Sequence, residues 1–202
     1  PMHCLGLEPW IVLIGALLPA AAQAQTPAAY EATPHGRALA CFGSAYSLVE
    51  LIDVATQNLS MLAFEVRRAP ETARPAVAAG LARAGAEIDQ RQSLDVAERL
   101  ATCTEGLTRR ATPDAAAAFA ATAVREEINV AISMTDGFIS DYQMLATRLS
   151  EFFNASPDAA AQASAVRPFT RFGEQLHAAL QRSRVAIDEA IVRSTPKPEP
   201  QQ

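Results

Sequence analysis

From residue 41 onward, apolar residues recur at alternating spacings of four and three. The first stretch runs Cys41, Ala45, Leu48, Ile52, Ala55, Leu59, Leu62 and Val66. A third runs Val124, Ile128, Ala131, Thr135, Phe138, Tyr142, Leu145, Leu149 and Phe152. A fourth, with weaker members, runs Val166, Phe169, Gly173, Leu176, Leu180, Ser183, Ile187 and Ala190. The second is less regular: Val77, Leu81, Ala84 and Ile88, a slip around Gln92, then Val96, Leu100, Cys103 and Leu107. A sustained seam of this period is what a helix needs to bury one face against neighbours.

Four tetrads of one kind break the pattern: Thr33-Pro34-His35-Gly36, Ala69-Pro70-Glu71-Thr72, Thr112-Pro113-Asp114-Ala115 and Ser156-Pro157-Asp158-Ala159. A Ser or Thr cap accepts a hydrogen bond from a free amide of the first turn. Proline at the first helical position loses nothing, because its missing N–H would be unpaired there. An acid just after it suits the positive end of the helix dipole. These signals predict helices over about 34–68, 72–110, 113–154 and 157–194. Short connections bring consecutive helices back antiparallel. The expected fold is all-α, an up-down-up-down antiparallel four-helix bundle with long helices. At 1.5 Å per residue such helices make a rod roughly 50–60 Å long. Residues 25–33 are expected to form a flexible lead-in. From Thr195 a Pro-rich tail without apolar content is expected to be extended and disordered.

Composition agrees with long helices. Alanine, the best intrinsic helix former, supplies 43 of 202 residues, while aromatics make up only 6%. Half the chain is apolar, which excludes an intrinsically disordered protein. The scarcity of short β-branched and aromatic runs argues against an all-β sandwich. With 17 basic and 22 acidic side chains, the chain offers no electrostatic basis for binding nucleic acid.

The first 24 residues read as a cleavable signal peptide. Trp10 to Leu18 is a compact apolar run, followed by Pro19 and Ala20-Ala21-Ala22-Gln23-Ala24. Ala22-Gln23-Ala24 fits the A-x-A cleavage pattern, so the processed chain would start near Gln25. Nine strongly apolar residues are few for a bilayer span, which needs about 20; an uncleaved anchor is the alternative. The segment departs from the signal pattern in having no Lys or Arg and in carrying Glu8. No second long apolar stretch is evident, so the processed chain is expected to have no membrane span. The expected address is the bacterial periplasm or exterior.

Cys4 lies in that leader, which leaves Cys41 and Cys103, an even number in an exported chain. Both fall on the apolar seams of their helices. In an antiparallel hairpin with the second helix starting effectively at Pro75, the two reach one level and one face. A Cys41–Cys103 disulfide is therefore expected, with two buried free thiols as the alternative. Closing a loop of about 60 residues would contribute roughly 3–5 kcal/mol by the chain-entropy model.

Helical bundles can hold haem or paired metals, so candidate ligands matter. No Cys-x-x-Cys-His is present, which removes covalent c-type haem. Beyond the leader the histidines are His35 and His177, and the methionines Met61, Met134 and Met144. Met134 and His177 are the haem candidates: they should lie level on helices three and four, and a Met/His pair can hold haem iron. Each sits one step off its seam, where a boundary methionine and a surface histidine are the plainer reading. Glu174-x-x-His177 matches half of the di-iron signature of bundles. No second Glu-x-x-His exists, and Glu50, Glu87 and Glu126 lie off the seams. There is no Gly-x-Ser-x-Gly elbow and no Gly-rich phosphate loop. Tyr46, Tyr142 and the phenylalanines lie at or near seams and are expected in the core. Arg167, Arg171, Arg182 and Arg184, diluted by acids, read as a solvated face. The Ala115–Ala123 run would let two helices approach closely.

No catalytic, cofactor or metal site is therefore expected. The reading is an exported, non-enzymatic helical bundle with a binding or structural role in the cell envelope. Its partner would be an envelope protein or a small apolar ligand. The alternatives are a haem- or metal-carrying bundle, and a small-molecule sensor or scavenger whose cavity is opened by Ala45, Ala55, Ala131 and Gly173. Periplasmic cytochromes and chemoreceptor sensor domains share the bundle class, a likeness of architecture that carries no function by itself.

Overall fold

A computed structural model describes residues 32–70, 73, 76, 79, 80, 83, 92–153 and 159–197. The expected leader and its cleavage site, the lead-in before Ala32, Glu87, the seam residues Val77, Leu81, Ala84 and Ile88, the Ser156-Pro157-Asp158 start and the tail beyond Lys197 lie outside the described residues. So do the side chains of Val66, Leu149, Phe152 and Val166.

Four helices pack against one another: α1 (Pro34–Arg68), α2 (Gln92–Arg110), α3 (Ala115–Phe153) and α4 (Ala159–Ser194). No strand occurs among the described residues. The bounds of α1 and the end of α2 fall where the cap signals put them; the expected start of α2 at residue 72 lies outside the description.

The seams form the core. Cys41, Ala45, Leu48, Ile52, Ala55 and Leu59 of α1 are buried, as are Val96, Leu100 and Leu107 of α2. So are Val124, Ile128, Ala131, Thr135, Phe138, Tyr142 and Leu145 of α3. In α4 the buried set is wider than the seam, because Phe172, Ala179 and Ala186 join Phe169, Leu176, Leu180, Ile187 and Ala190. Each helix packs on two neighbours, and α4 makes the most extensive contact of all with α3 and a further one with α2.

The helices are arranged differently from a simple sequential ring. α1 packs along α2 and α3, and α4 packs along α2 and α3. The consecutive pair α2 and α3 shares no extended face among the described residues. Short connections fix which ends meet, but do not by themselves fix which helices lie side by side.

At one end, the starts of α1 and α3 meet the ends of α2 and α4. The Thr33 hydroxyl accepts from the Gly36 amide at 2.9 Å, the cap expected for α1. At α3 the cap is Asp114 rather than Thr112: its carboxylate accepts from the amides of Ala116 and Ala117 at 2.9 and 3.1 Å. The helix therefore begins at Ala115, two residues later than the Pro113 start expected. The Asp114 amide donates to the Ser194 carbonyl at 2.8 Å, and this bond ties the turn to the end of α4. Arg109 and Arg110 of α2 and Arg193 of α4 lie in last turns, where positive charge suits the exposed carbonyls.

Pro168 lies inside α4, a position the seam pattern did not mark. It removes one amide from the ladder. The helix runs on because Phe169, Phe172 and Leu176, just beyond, are anchored in the core.

Three core expectations fail. Tyr46 is half exposed, Phe64 likewise, and Phe119 is 76% exposed. Tyr46 directly follows the buried Ala45, and one helical step of about 100° turns it outward. Phe119 follows Ala118 and precedes the buried Ala120, so it too lies off the inward face. The outward apolar residues also alter the hydropathy of α1. Pro34–Glu65 is long and apolar enough to cross a membrane by length and composition: its most apolar 18-residue window has a mean hydropathy of 1.5, and one third of that window is buried. This differs from the expectation of no second long apolar stretch. Leu39, Tyr46, Val54, Met61 and Phe64 on the outer side add to an inner seam that is already apolar.

Candidate functional site

The two cysteines come together. The Cys41 and Cys103 Cα atoms lie 5.7 Å apart and the sulfurs are at disulfide distance, 62 residues apart in sequence. Cys41 is fully buried and Cys103 partly so. Both lie where the four-three seams turn inward, which is why two residues so distant in sequence share one level.

The haem candidates have polar neighbours. His177 of α4 holds Nδ1 at 3.1 Å from Asp136 Oδ1 of α3, two residues beyond Met134. The contact is not an aligned hydrogen bond, and the buried Nδ1 has no hydrogen-bond partner. His177 Nε2 lies 3.3 Å from the Gln181 side-chain amide. Met134 is partly buried and packs against the core. Both ring nitrogens of His177 therefore face polar side chains of α3 and α4. Glu174 is exposed beside it, and no three His, Cys, Asp or Glu residues gather as metal ligands among the described residues.

A second polar patch bridges α3 and α4. Arg184 donates to Asn129 of α3 and, at 2.9 Å, to Asp188 on its own helix. Arg125 donates to the Glu126 carboxylate at 2.7 Å. That bond, before any other influence, holds the exposed Glu126 carboxyl below the ordinary glutamate range. Arg184 is thus a clasp between helices rather than part of a merely solvated face.

Hydroxyl groups in the core are committed to backbone. Thr104, Thr135 and Ser183, all fully buried, donate to carbonyls one turn earlier at 3.1, 2.8 and 3.0 Å. Thr108 is shared between its own helix and α4, with its hydroxyl 3.1 Å from the Thr104 carbonyl and 2.6 Å from the Ala186 carbonyl. Satisfying a buried hydroxyl on its own helix avoids a desolvation cost of about 1–3 kcal/mol. It also leaves no buried hydroxyl free to act on a ligand at these positions.

Two cavities are placed by this packing. A small one of about 20 Å³ lies at the helix junction, lined by Arg37, Leu107, Thr112, Ala117, Ala190 and Ser194 among others; that is the size of one water molecule. Arg37 Nε is buried there without a hydrogen-bond partner. The larger is an open groove of about 650 Å³ between α2 and α4. Ala178, Val185 and Ala186 are its apolar lining, and Glu105, Arg109, Arg182 and Glu189 are its charged walls. At Gly173, one of the small residues expected to open a cavity, the space is filled. A Cβ there would lie 2.8 Å from Ile139 Cγ1, so the glycine serves close approach of α3 and α4.

Neither groove nor cavity was visible in the sequence, because the seam pattern marks inward residues and not the spacing between helices. No known protein family, characterised protein or solved structure matches the chain.

Proposed function

We propose that this chain is an exported, non-enzymatic helical-bundle protein with a binding or structural role in the bacterial cell envelope. The leader at residues 1–24 would direct export, and an up-down-up-down course of the helices would follow. The meeting of two helix starts with two helix ends at the Asp114–Ser194 junction supports that course. The observation that carries the proposal is the Cys41–Cys103 pair at disulfide distance. Disulfides persist in oxidising compartments and are rare in reducing ones. The commitment of core hydroxyls to backbone, and of the charged groups to the surface, supports a scaffold rather than a reaction centre.

Mass analysis of the protein recovered from the envelope fraction tests this. The expected chain begins near Gln25 and takes up an alkylating reagent at two cysteines only after reduction. Free thiols in a chain retained in the cytoplasm would overturn the proposal. A visible spectrum of the same material addresses the carrier alternative. A Soret band lost in Met134→Ala or His177→Ala would replace the proposal with a haem role.

A further inference from the structure

We infer that the α2–α4 groove is the docking face for a second copy of this chain. The inference does not depend on export or on the envelope role. Along the outer side of α4, Ala178, Val185 and Val192 recur at intervals of seven, the spacing of one stripe in paired helices. Val185 is 69% exposed and Val192 74% exposed, so no described residue covers the stripe. Val185 also lines the groove, with Ala186 beside it.

The charges around this stripe are self-complementary. Arg182 and Glu189 lie equally far on either side of the midpoint between Val185 and Ala186. If a second α4 runs antiparallel across that midpoint, a two-fold axis puts Arg182 of each copy level with Glu189 of the other. Two ion pairs then bracket the Val185 residues, which meet near the axis. Such an isologous contact closes on itself.

The α2 wall fits the same arrangement. The contacts Glu98–Arg182 at 2.5 Å and Arg193–Thr108 at 3.3 Å fix the register of α2 beside α4. The Thr108–Ala186 hydrogen bond, made by a short side chain, puts Glu105 near the level of Val185 and Ala186, which line the groove with it. Within one chain Arg182 and Glu189 already have partners in Glu98 and Arg193. Those pairs are half exposed, and their side chains can be shared. A peptide or surface of a single charge sign would be opposed by half of the walls. A second copy presents the same alternation and sets Arg182 against Glu189 twice.

Sedimentation equilibrium of the purified chain over a wide concentration range tests the inference. The chain should form a dimer. Arg182→Glu should weaken it about tenfold by setting carboxylate against carboxylate, and Arg182→Glu combined with Glu189→Arg should restore it. Circular dichroism checks that each variant folds. Independently, Val185→Cys should crosslink to a dimer under mild oxidant, while Ser133→Cys on the outer side of α3 should not. A monomer at every concentration would overturn the inference, as would a dimer indifferent to both charge variants. Binding of anionic lipid vesicles by a monomeric chain, lost in Val185→Arg, would also overturn it by giving the groove a different occupant.

Discussion

The α3–α4 face and the α1–α2 face are held together in different ways. The α3–α4 face is the most extensive in the bundle and the α1–α2 face the least extensive among the described residues. On the first, the Phe138 ring meets Phe172 at 5.4 Å, Tyr142 at 6.1 Å and Phe169 at 6.4 Å. Gly173 lets the two backbones close over this cluster, and Arg184 and His177 bridge its margin. On the second, the buried residues nearest the cysteines mix small side chains, Ala38, Ala45, Ala101 and Thr104, with Leu48, Leu100 and Leu107, and none is aromatic. Large side chains hold a face by the apolar area they remove from water. Alanines remove little, so a face built partly from them gains more from a covalent constraint on the unfolded chain. Among the described residues, the cysteine pair lies on the least extensive of the four helix–helix faces.

Substitutions on the two faces can break this comparison. Phe138→Ala should have the largest effect, about 5 kcal/mol in denaturant unfolding, because a fully buried ring is lost and three ring contacts go with it. Replacing both cysteines with alanine should cost about 4 kcal/mol, chiefly by freeing a loop of 62 residues in the unfolded state. The comparison fails if the cysteine variant loses nothing, or if Phe138→Ala proves the milder of the two. Gly173→Ala should cost about 1–3 kcal/mol through overpacking against Ile139; a neutral result would mean that α3 and α4 can part without penalty. Asp114→Ala should cost about 1 kcal/mol by removing the α3 cap, with a thermal melt as readout.

The smallest effect is pH-dependent. The hydrogen bond from Arg125 lowers the folded-state pKa of Glu126, so this group favours folding above its unfolded pKa. The contribution fades as pH falls through the folded value. Glu126→Gln should therefore slightly flatten the acid limb of a stability-versus-pH curve, and a steeper limb would contradict the sign.

Much of the fold was legible because burial in a helix has a fixed period. Every described member of the α1 seam from Cys41 to Leu59 is buried, and Thr33 caps α1 as its residue type requires. The α3 start was misplaced because both Thr112 and Asp114 are good caps, and the bond from the Asp114 amide to Ser194 favours the second. Tyr46 and Phe119 were misassigned to the core because residue type was weighed above helical angle. That Asp136 faces His177 depends on the rotation of α3 against α4, which spacing along one helix does not set. The α2–α4 groove was invisible for the same reason: it depends on two helices that are distant in sequence.

By itself the sequence determined the helical class, the helix faces that turn inward and the pairing level of Cys41 with Cys103. These follow from local rules: a period of 3.6, the chemistry of caps, and equal distances from a turn. The tertiary structure alone decided that α1 lies beside α3 and α2 beside α4, that Gly173 is a contact rather than a void, and that Val185 stands uncovered above a groove. Those outcomes depend on how four nearly equivalent apolar seams share one core. That choice is made by side-chain volume between helices, and no single helix encodes it.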